Sequence, residues 1–248
     1  MISVTGLTKV YDQFVAVNDL SFSVEPGQVL GLVGPNGAGK TPTLRSLVGV
    51  ITPTKGVVTL GGFDLHADPT NAKRTLAFFP DEPRLFEHLT VWQHLNFIAR
   101  LYQVADYETF GAELLTDLAL NDQRNNLPGQ LSRGMKQKLV LACGLLHRPK
   151  CIVFDEPLTG LDPGGIRTMK ATIVKLAADG AAVILSSHLL SLLEEVCTQV
   201  LILKNGVKVV DGTLAEIRLK LAETNDASLE DIFFRATEDE AKPPTVTP

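Results

Sequence analysis

The feature that most constrains this chain is a glycine-rich segment between an apolar run and a helical pattern. Residues 34–41 read Gly-Pro-Asn-Gly-Ala-Gly-Lys-Thr and fit the spacing G-x-x-x-x-G-K-[ST]. The run before it, Val29–Val33, has no polar side chain, which is typical of a strand buried on both faces of a sheet. A helical pattern follows from Thr41 to about Val50. This order predicts an α/β fold with the loop at the end of a buried strand.

The residue types of this segment, here called the phosphate loop, suit a site for phosphate groups. Glycines permit positive φ and close backbone approach, so that successive N–H groups can point at phosphate oxygens. The N-terminus of the next helix adds partial positive charge. Lys40 supplies a full charge for β- and γ-phosphates, and the Thr41 hydroxyl is placed to ligate Mg²⁺. The alternative is a turn that merely joins strand to helix. The candidate binding residues are Gly34, Pro35, Asn36, Gly37, Ala38, Gly39, Lys40, Thr41 and Pro42.

Two further apolar runs end in residues that carry chemistry. Residues 151–154 are followed by the carboxylates Asp155 and Glu156, here called the acidic pair. One carboxylate is suited to hold Mg²⁺ through water and the other to polarise an attacking water. Because successive strand residues point to opposite faces, the two cannot share one role while both are extended. His188 follows the run at residues 183–185 and is expected at the carboxyl edge of the sheet, in contact with the γ-phosphate. The alternatives are a solvated loop start and a polar cap.

Strand and helix signals alternate along the rest of the chain. Strands are predicted at residues 2–7, 14–17, 20–24, 57–60, 76–79, 151–154, 182–185 and 200–203. Helical periodicity dominates residues 83–148, which we interpret as an inserted helical subdomain. We therefore expect a mostly parallel sheet with helices on both faces and an antiparallel β part at the N-terminal side. Residues 236–248 are acidic and Pro-rich, and we expect a flexible tail there.

Composition and charge exclude several classes of protein. The chain has 248 residues, and 45% of them are hydrophobic, which argues against disorder. The net charge is −5, which gives no reason to expect nucleic acid as a partner. The longest apolar run, residues 139–146, is far shorter than the roughly 20 residues that cross a bilayer. The first residues lack the features of a signal peptide. The three cysteines form no Cys-x-x-Cys pair, so we expect reduced thiols in a cytoplasmic protein.

Taken together, the motifs resemble the ATP-binding subunit of an ABC transporter over residues 1–235. After the phosphate loop come Leu131-Ser132-Arg133-Gly134-Met135, then Asp155-Glu156-Pro157, then Gly160-Leu161-Asp162, and then His188. The first of these is similar to the signature motif of that family, which other P-loop kinases and GTPases lack. The resemblance implies a P-loop NTPase (RecA-like) core at residues 1–82 and 149–212, the helical subdomain at 83–148 and a C-terminal helix region at 213–235. ATP and Mg²⁺ are the implied cofactors.

The resemblance also implies roles for individual residues. Lys40 and Thr41 would bind phosphate and Mg²⁺, Asp155 would serve the metal, and Glu156 would be the general base. In the family two subunits pair head to tail, and each ATP lies between the phosphate loop of one subunit and the signature of the other. Further candidates are Ser132 and Gly134 for a second anion site, Asp162 at the dimer contact, and Tyr11 for stacking on adenine. Tyr11 has the alternative of an ordinary edge-strand aromatic.

Three departures from the family pattern stand out. Asp81 takes the place of a glutamine that senses the γ-phosphate, and an aspartate cannot donate a hydrogen bond as an amide does. Arg133 and Met135 replace the commonest glycine and glutamine of the signature. Together with Pro-Asp-Glu-Pro at residues 80–83, this combination is similar to the multidrug and lipid (ABC-2 type) exporter branch. Pro42 stands where the family usually has Ser or Thr. Its missing N–H and hydroxyl would have faced the α-phosphate, so we expect weaker nucleotide binding.

The resemblance finally implies partners and location. Membrane-spanning permease subunits would dock near Arg84–Leu89, here called the docking segment, although Leu85, Phe86 and Leu89 could instead pack the core of the helical subdomain. The second ATP-binding subunit could be identical or different. The chain would lie in the cytoplasm on the inner face of the cell membrane and hydrolyse ATP to power export. The alternatives are a nucleotide-binding regulatory subunit with weak turnover and a non-transport ABC ATPase.

Overall fold

Two β-sheets and surrounding helices make up residues 1–159, 161–221 and 227–237, the part of the chain that the computed structural model describes. The strands are β1 (Ile2–Tyr11), β2 (Phe14–Val24), β3 (Val29–Val33), β4 (Lys55–Leu60), β5 (Phe63–Asp64), β6 (Leu76–Phe79), β7 (Cys151–Asp155), β8 (Ala182–Ser186), β9 (Gln199–Lys204) and β10 (Val207–Gly212). The helices are α1 (Lys40–Leu47), α2 (Pro69–Arg74), α3 (Val91–Tyr102), α4 (Tyr107–Asp117), α5 (Arg133–Leu145), α6 (Pro163–Ala178), α7 (Leu190–Val196), α8 (Leu214–Leu221) and α9 (Leu229–Thr237).

The larger sheet has the strand order β10-β9-β3-β8-β7-β6. Its strands from β9 to β6 run parallel, and β10 pairs antiparallel with β9. All residues of β3 and β8 are buried, as expected for strands covered on both faces. The predicted α/β fold with a mostly parallel sheet is confirmed. The carboxyl ends of β3, β8 and β7 are neighbours, so the loops that follow these strands meet at one edge.

Strand β7 contributes to two separate hydrophobic cores. Ile152 and Phe154 belong to the core shared with the helical subdomain and helix α6. Cys151 and Val153 belong to the core shared with the smaller sheet and helix α1. The split follows from the two-residue repeat of a strand, which points successive side chains to opposite faces. Both faces of β7 are therefore fixed by packing.

The smaller sheet is antiparallel, with the order β2-β1-β4-β5, which confirms the expected antiparallel part. Strand β2 is continuous, whereas the sequence predicts two strands separated at residues 18 and 19. Asp19 has φ +49, and the register between β1 and β2 shifts between Leu7 and Lys9. The Asp19 N–H donates to Oγ1 of Thr8 at 3.1 Å. The polar pair therefore forms a bulge within one strand and not a turn between two.

Helices α3, α4 and α5 lie in the predicted helical subdomain. Thr90 and Gln93 form a capping box at the start of α3. Helix α5 contacts β6 closely, because Gly144 has no side chain: a Cβ there would lie 2.4 Å from Cε1 of Phe79. The Phe79 ring in turn stacks on Phe154 at a centroid distance of 4.7 Å. This contact joins the subdomain to the larger sheet.

The C-terminal helices are attached to helix α7. The Arg218 guanidinium forms an ion pair with Glu194 and donates from Nε to the Ala227 carbonyl at 2.8 Å. The other Glu194 oxygen accepts the N–H of Leu229 at 3.2 Å, at the start of α9. Helix α9 ends at Thr237, two residues beyond the predicted boundary, and the rest of the predicted tail, 238–248, lies outside the described residues. In the described ranges, no helix is long and apolar enough to span a membrane.

Candidate functional site

The phosphate loop forms the turn between β3 and α1, and its glycines are required for two different reasons. Gly37 has φ +79 and Gly39 has φ +102, values that residues with a side chain rarely adopt. Gly34 and Gly39 also lie against neighbouring backbone: a Cβ would be 2.5 Å from the Leu203 carbonyl oxygen at Gly34 and 2.6 Å from the Ala16 carbonyl oxygen at Gly39. A Cβ at Gly37 would meet nothing within 4 Å, so this side of the loop is open.

Lys40 is the first residue of α1 and folds back across the loop. Its ammonium donates to the carbonyl oxygen of Gly34 and, at 3.2 Å, to that of Pro35. Burial lowers the pKa of Lys40, while the nearby carboxylates of Glu156 and Asp155 act in the opposite direction. The cation therefore lies between the loop and the acidic pair, where it can bridge a bound anion to both.

Pro42 occupies the first turn of α1 without disturbing it, because the N–H groups of that turn have no partner within the helix. The hydroxyl of the next residue, Thr43, cannot replace the one that is missing at position 42. Thr43 is fully buried, and its Oγ1 donates to the Gly39 carbonyl at 2.8 Å. Position 42 therefore supplies neither an N–H nor a hydroxyl to the loop.

The acidic pair is located where β7 ends, and its members have different environments. Asp155 is the last residue of the strand. The pKa of Asp155 is raised, chiefly by burial and also by the negative charge of Asp81. A hydrogen bond from Ser186 and the positive charges of Arg45 and Lys40 act in the opposite direction. Glu156 has φ +52 and donates its N–H to the Ser186 carbonyl at 2.9 Å. The positive φ turns Glu156 out of the strand, so its side chain takes a separate direction from that of Asp155.

Glu156 and His188 are brought into direct contact. Oε2 of Glu156 lies 2.9 Å from Nδ1 of His188 and also accepts the His188 N–H at 3.3 Å. The Glu156 side chain is 21% exposed and that of His188 is 65% exposed. The sequence places both residues at the carboxyl edge but does not predict their contact. The glutamate orients the histidine toward solvent at the edge where the phosphate loop begins.

Asp81 lies beside this edge, in the segment after β6. Its Oδ1 is buried and accepts no hydrogen bond from any described residue. The nearest cation is Arg133, whose Nη2 is 3.9 Å away. Sequence reasoning missed Ser186, Arg45 and this contact of Arg133. Ser186 had a detectable signal, since it is a polar residue at the end of an apolar strand, whereas Arg45 had none.

Four predicted residues do not join this cluster. Ser132 and Asp162 are N-caps: Ser132 accepts the Met135 N–H at 3.3 Å at the start of α5, and Asp162 accepts the Gly165 N–H at 3.2 Å at the start of α6. Gly134 has open space around it, and Tyr11 is 44% exposed at the tip of the β1–β2 hairpin. No hydrogen bond or ion pair joins any of the four to the phosphate loop within the described ranges. Gly160 lies outside the described residues.

The docking segment exposes one aromatic side chain to solvent and is hydrogen-bonded to helix α3. Phe86 is 56% exposed and contacts the Phe97 ring edge-on at 5.1 Å. Leu85 is partly buried against the larger core, so the alternative of internal packing applies to that residue. The Phe86 N–H donates to Nε2 of His94 at 3.0 Å, and Nδ1 of His94 bonds the Thr90 carbonyl at 2.8 Å. The buried His94 thus holds the segment against α3.

The donor groups at this edge fit a magnesium nucleotide. Thr41 and Asp155 offer a hydroxyl and a carboxylate, which are hard oxygen ligands, and Oδ1 of Asp81 is an acceptor without a partner. The described residues contain no group of three or more His, Cys, Asp or Glu side chains that could hold a metal by itself. Mg²⁺ does not require one, since it is usually held by one or two carboxylates together with substrate phosphates and water.

A phosphate loop at one strand end, with an acidic pair and a histidine at the ends of parallel neighbours, defines a P-loop nucleotide hydrolase. The family model described as ABC transporter matches residues 17–159. The ABC-type transporter ATP-binding protein EcsA of Bacillus subtilis (strain 168) is 34% identical over 244 residues, which cover 97% of this chain and 98% of that protein. The chain therefore belongs to the ABC transporter family as an ATP-binding subunit, and it is an ATPase that uses Mg²⁺.

Two other similar proteins agree with this assignment. The Nod factor export ATP-binding protein I of Burkholderia thailandensis (strain ATCC 700388 / DSM 13276 / CCUG 48851 / CIP 106301 / E264) is 34% identical over 206 residues, which cover 82% of this chain and 68% of that protein. A solved structure described as the ATP binding subunit of an ABC transporter superposes with a TM-score of 0.91 at 32% identity. The superposed residues cover 96% of this chain and 100% of the chain in that structure.

Proposed function

We propose that this chain hydrolyses ATP to power export of a substrate through separate membrane-spanning subunits. The observation that supports hydrolysis most directly is the juxtaposition of Lys40, Asp155, Glu156 and His188 at one sheet edge. Lys40 lies within the electrostatic reach of both carboxylates, and Glu156 contacts His188 at 2.9 Å. A binding module needs the loop and the lysine, whereas a hydrolase also needs a base beside the phosphate.

Each of these side chains has a distinct role in the proposal. The backbone N–H groups of the phosphate loop and Lys40 would bind the β- and γ-phosphates, and Thr41 and Asp155 would hold Mg²⁺. Bound Mg²⁺ supplies charge stabilisation at the phosphates. Glu156 accepts a proton from the attacking water, and His188, oriented by Glu156, contacts the γ-phosphate. Asp81, whose Oδ1 has no partner among the described residues, would accept a hydrogen bond from water at this edge, and Tyr11 would stack on adenine. Pro42 weakens nucleotide binding because it offers no donor.

The site is incomplete in one chain, which supports a head-to-tail dimer. Ser132, Gly134 and Asp162 lie at the exposed N-terminal ends of α5 and α6, where helix dipoles favour an anion. None of them contacts the phosphate loop of the same chain in the described ranges. A second ATP-binding subunit, related by a two-fold axis, would place these residues against the nucleotide. ATP shared between two subunits then stabilises the dimer, and hydrolysis removes that stabilisation.

Export, and location at the inner face of the membrane, rest on two observations. One is the exposed Phe86 of the docking segment, which follows Asp81 closely in the sequence, where a permease helix could dock and respond to the γ-phosphate. The other is the Nod factor exporter among the similar proteins. We expect the neighbouring gene to encode a polytopic membrane protein that co-purifies with this chain. A Phe86→Ala variant should lose that co-purification while it still binds ATP.

A phosphate-release assay on the purified chain with Mg-ATP tests hydrolysis. Glu156→Gln should lower sustained turnover by about 10²–10⁴-fold, because a general base contributes about that much, and should leave nucleotide binding intact. Glu230→Gln, which removes an exposed carboxylate on α9, is the matched control and should turn over normally. If Glu156→Gln turns over as fast as the native chain, the base assignment is wrong. Binding without turnover in the native chain would instead support the regulatory alternative.

A further inference from the structure

An ion pair connects the helical subdomain to the acidic edge of the site. Arg133 is the first residue of α5, and its Nη2 lies 3.9 Å from Oδ1 of Asp81. The two side chains are 54% and 47% exposed. At this distance the contact is electrostatic and not a hydrogen bond. Oδ1 of Asp81 therefore faces a positive charge but has no hydrogen-bond donor among the described residues.

Asp81 is also one of two neighbouring carboxylates. Strands β6 and β7 are parallel neighbours, with Phe79 opposite Phe154. Asp81 follows β6 by two residues and Asp155 is the last residue of β7, so both lie at the same edge of the sheet. The negative charge of Asp81 makes ionisation of Asp155 less favourable and thus raises its pKa, in the same direction as burial. Two neighbouring negative charges favour a nearby cation. Lys40 and Arg45 act on Asp155, and Arg133 acts on Asp81.

We propose that Arg133 is a positioning residue that replaces the metal charge at Asp81 while no Mg²⁺ is bound. The proposal rests on the proposed function, because it assumes that Mg²⁺ enters beside Asp155. The charge of the metal then compensates both carboxylates, and the ion pair with Arg133 loses most of its electrostatic advantage. Arg133 and Mg²⁺ therefore compete for Asp81. Since Arg133 begins α5, loss of the pair also frees the helix end that carries Ser132 and Gly134.

Competition predicts the direction of a substitution. Removal of Arg133 destabilises the metal-free states, with and without nucleotide, because the pair exists in both, and leaves the magnesium-bound state unchanged. Magnesium should therefore increase nucleotide affinity more strongly in Arg133→Gln than in the native chain. Exposed ion pairs change an equilibrium constant by roughly 1.5- to 5-fold. If Arg133 instead contacted phosphate directly, its removal would weaken binding with or without the metal.

The experiment measures binding of AMP-PNP, a non-hydrolysable ATP analogue, to the purified chain by calorimetry, with Mg²⁺ and with EDTA. The quantity of interest is the ratio of Kd without Mg²⁺ to Kd with Mg²⁺. Arg133→Gln should raise this ratio roughly 1.5- to 5-fold at low salt. In about 1 M salt, where the Debye length is about 3 Å, the increase should shrink. In an Asp81→Asn background, Arg133→Gln should leave the ratio unchanged.

Lys136→Gln provides the matched control, since it removes a positive charge from the same helix one turn further on. Lys136 forms no ion pair within the described chain, and its loss should not alter the ratio. The proposal is overturned if Arg133→Gln leaves the ratio unchanged, or if it changes the ratio equally with Asp81 and with Asn at position 81. If the native chain binds no AMP-PNP at all, the proposed function fails. If every variant binds it with one common ratio, only this proposal fails.

Discussion

Gly144→Ala tests the contact that fixes the helical subdomain to the larger sheet. The added Cβ would lie 2.4 Å from Cε1 and 2.5 Å from Cζ of Phe79, whereas carbon atoms normally stay about 3.5–4.0 Å apart. Phe79 cannot move away easily, because it is 5% exposed and stacked on Phe154. Overpacking of this kind costs about 1–3 kcal/mol. The clash with two ring atoms places Gly144→Ala near the upper end of that range.

The helix itself offsets part of this cost. Alanine is more favourable than glycine inside a helix by about 1 kcal/mol. We therefore expect a net loss of about 2 kcal/mol in the free energy of unfolding, measured by urea denaturation. The matching decrease in Tm is about 4–8 °C for a chain of this size. Because Ser132 and Gly134 lie at the start of α5, the displacement should also weaken the proposed ATP-dependent dimer.

Gly111→Ala is the control, because it makes the same change in the same subdomain without a clash. Its Cβ would lie 3.5 Å from the Trp92 ring, an ordinary contact, so the variant should be stabilised by about 0.5–1 kcal/mol. Phe79→Leu should rescue part of the loss in Gly144→Ala, with a coupling free energy of about 0.5–3 kcal/mol. The reasoning is refuted if Gly144→Ala is as stable as the native chain, or if its effect and that of Phe79→Leu simply add.

Two further predictions concern the site and the docking segment. Pro42→Thr should tighten ATP binding by about 1–3 kcal/mol in a calorimetric titration, because it restores an N–H and a hydroxyl beside the α-phosphate; an unchanged Kd would eliminate this explanation. Burial lowers the pKa of His94 below its ordinary value of 6.5, so the unfolded chain binds a proton that the folded chain does not, and stability should fall as the pH drops below that value. The difference between the urea midpoints at about pH 7.5 and about pH 5.5 should be smaller in His94→Gln than in the native chain. If the two proteins show the same difference, His94 does not have this role.

The parallel strands and the phosphate loop could be predicted from the sequence because their signals are local. Val29–Val33 and Leu76–Phe79 have the same bounds in the structure as in the sequence analysis, since unbroken apolar runs are characteristic of strands covered on both faces. The phosphate loop is recognised by its spacing, and its position between a strand and a helix is confirmed. Residue roles within the site remain proposals.

Features that depend on partners distant in sequence could not be predicted. Asp19 has the residue type of a turn, but pairing with β1 places it in a bulge. The contact between Glu156 and His188 depends on the left-handed backbone of Glu156, which no local pattern indicates. Helix α2 was missed although Asp68 and Pro69 supply an N-cap and a first-turn proline, because its six residues are too short for periodicity to be detected.

The packing of β7 has a consequence for variation in this protein. Because alternate residues of that strand are anchored in different interiors, a substitution that enlarges or empties either interior will shift the same backbone. Asp155 is the last residue of that strand, and Glu156 comes directly after it. Repacking on the side of the small antiparallel sheet should therefore alter ATP turnover as readily as repacking beneath the inserted helices, even though neither group of side chains touches the nucleotide.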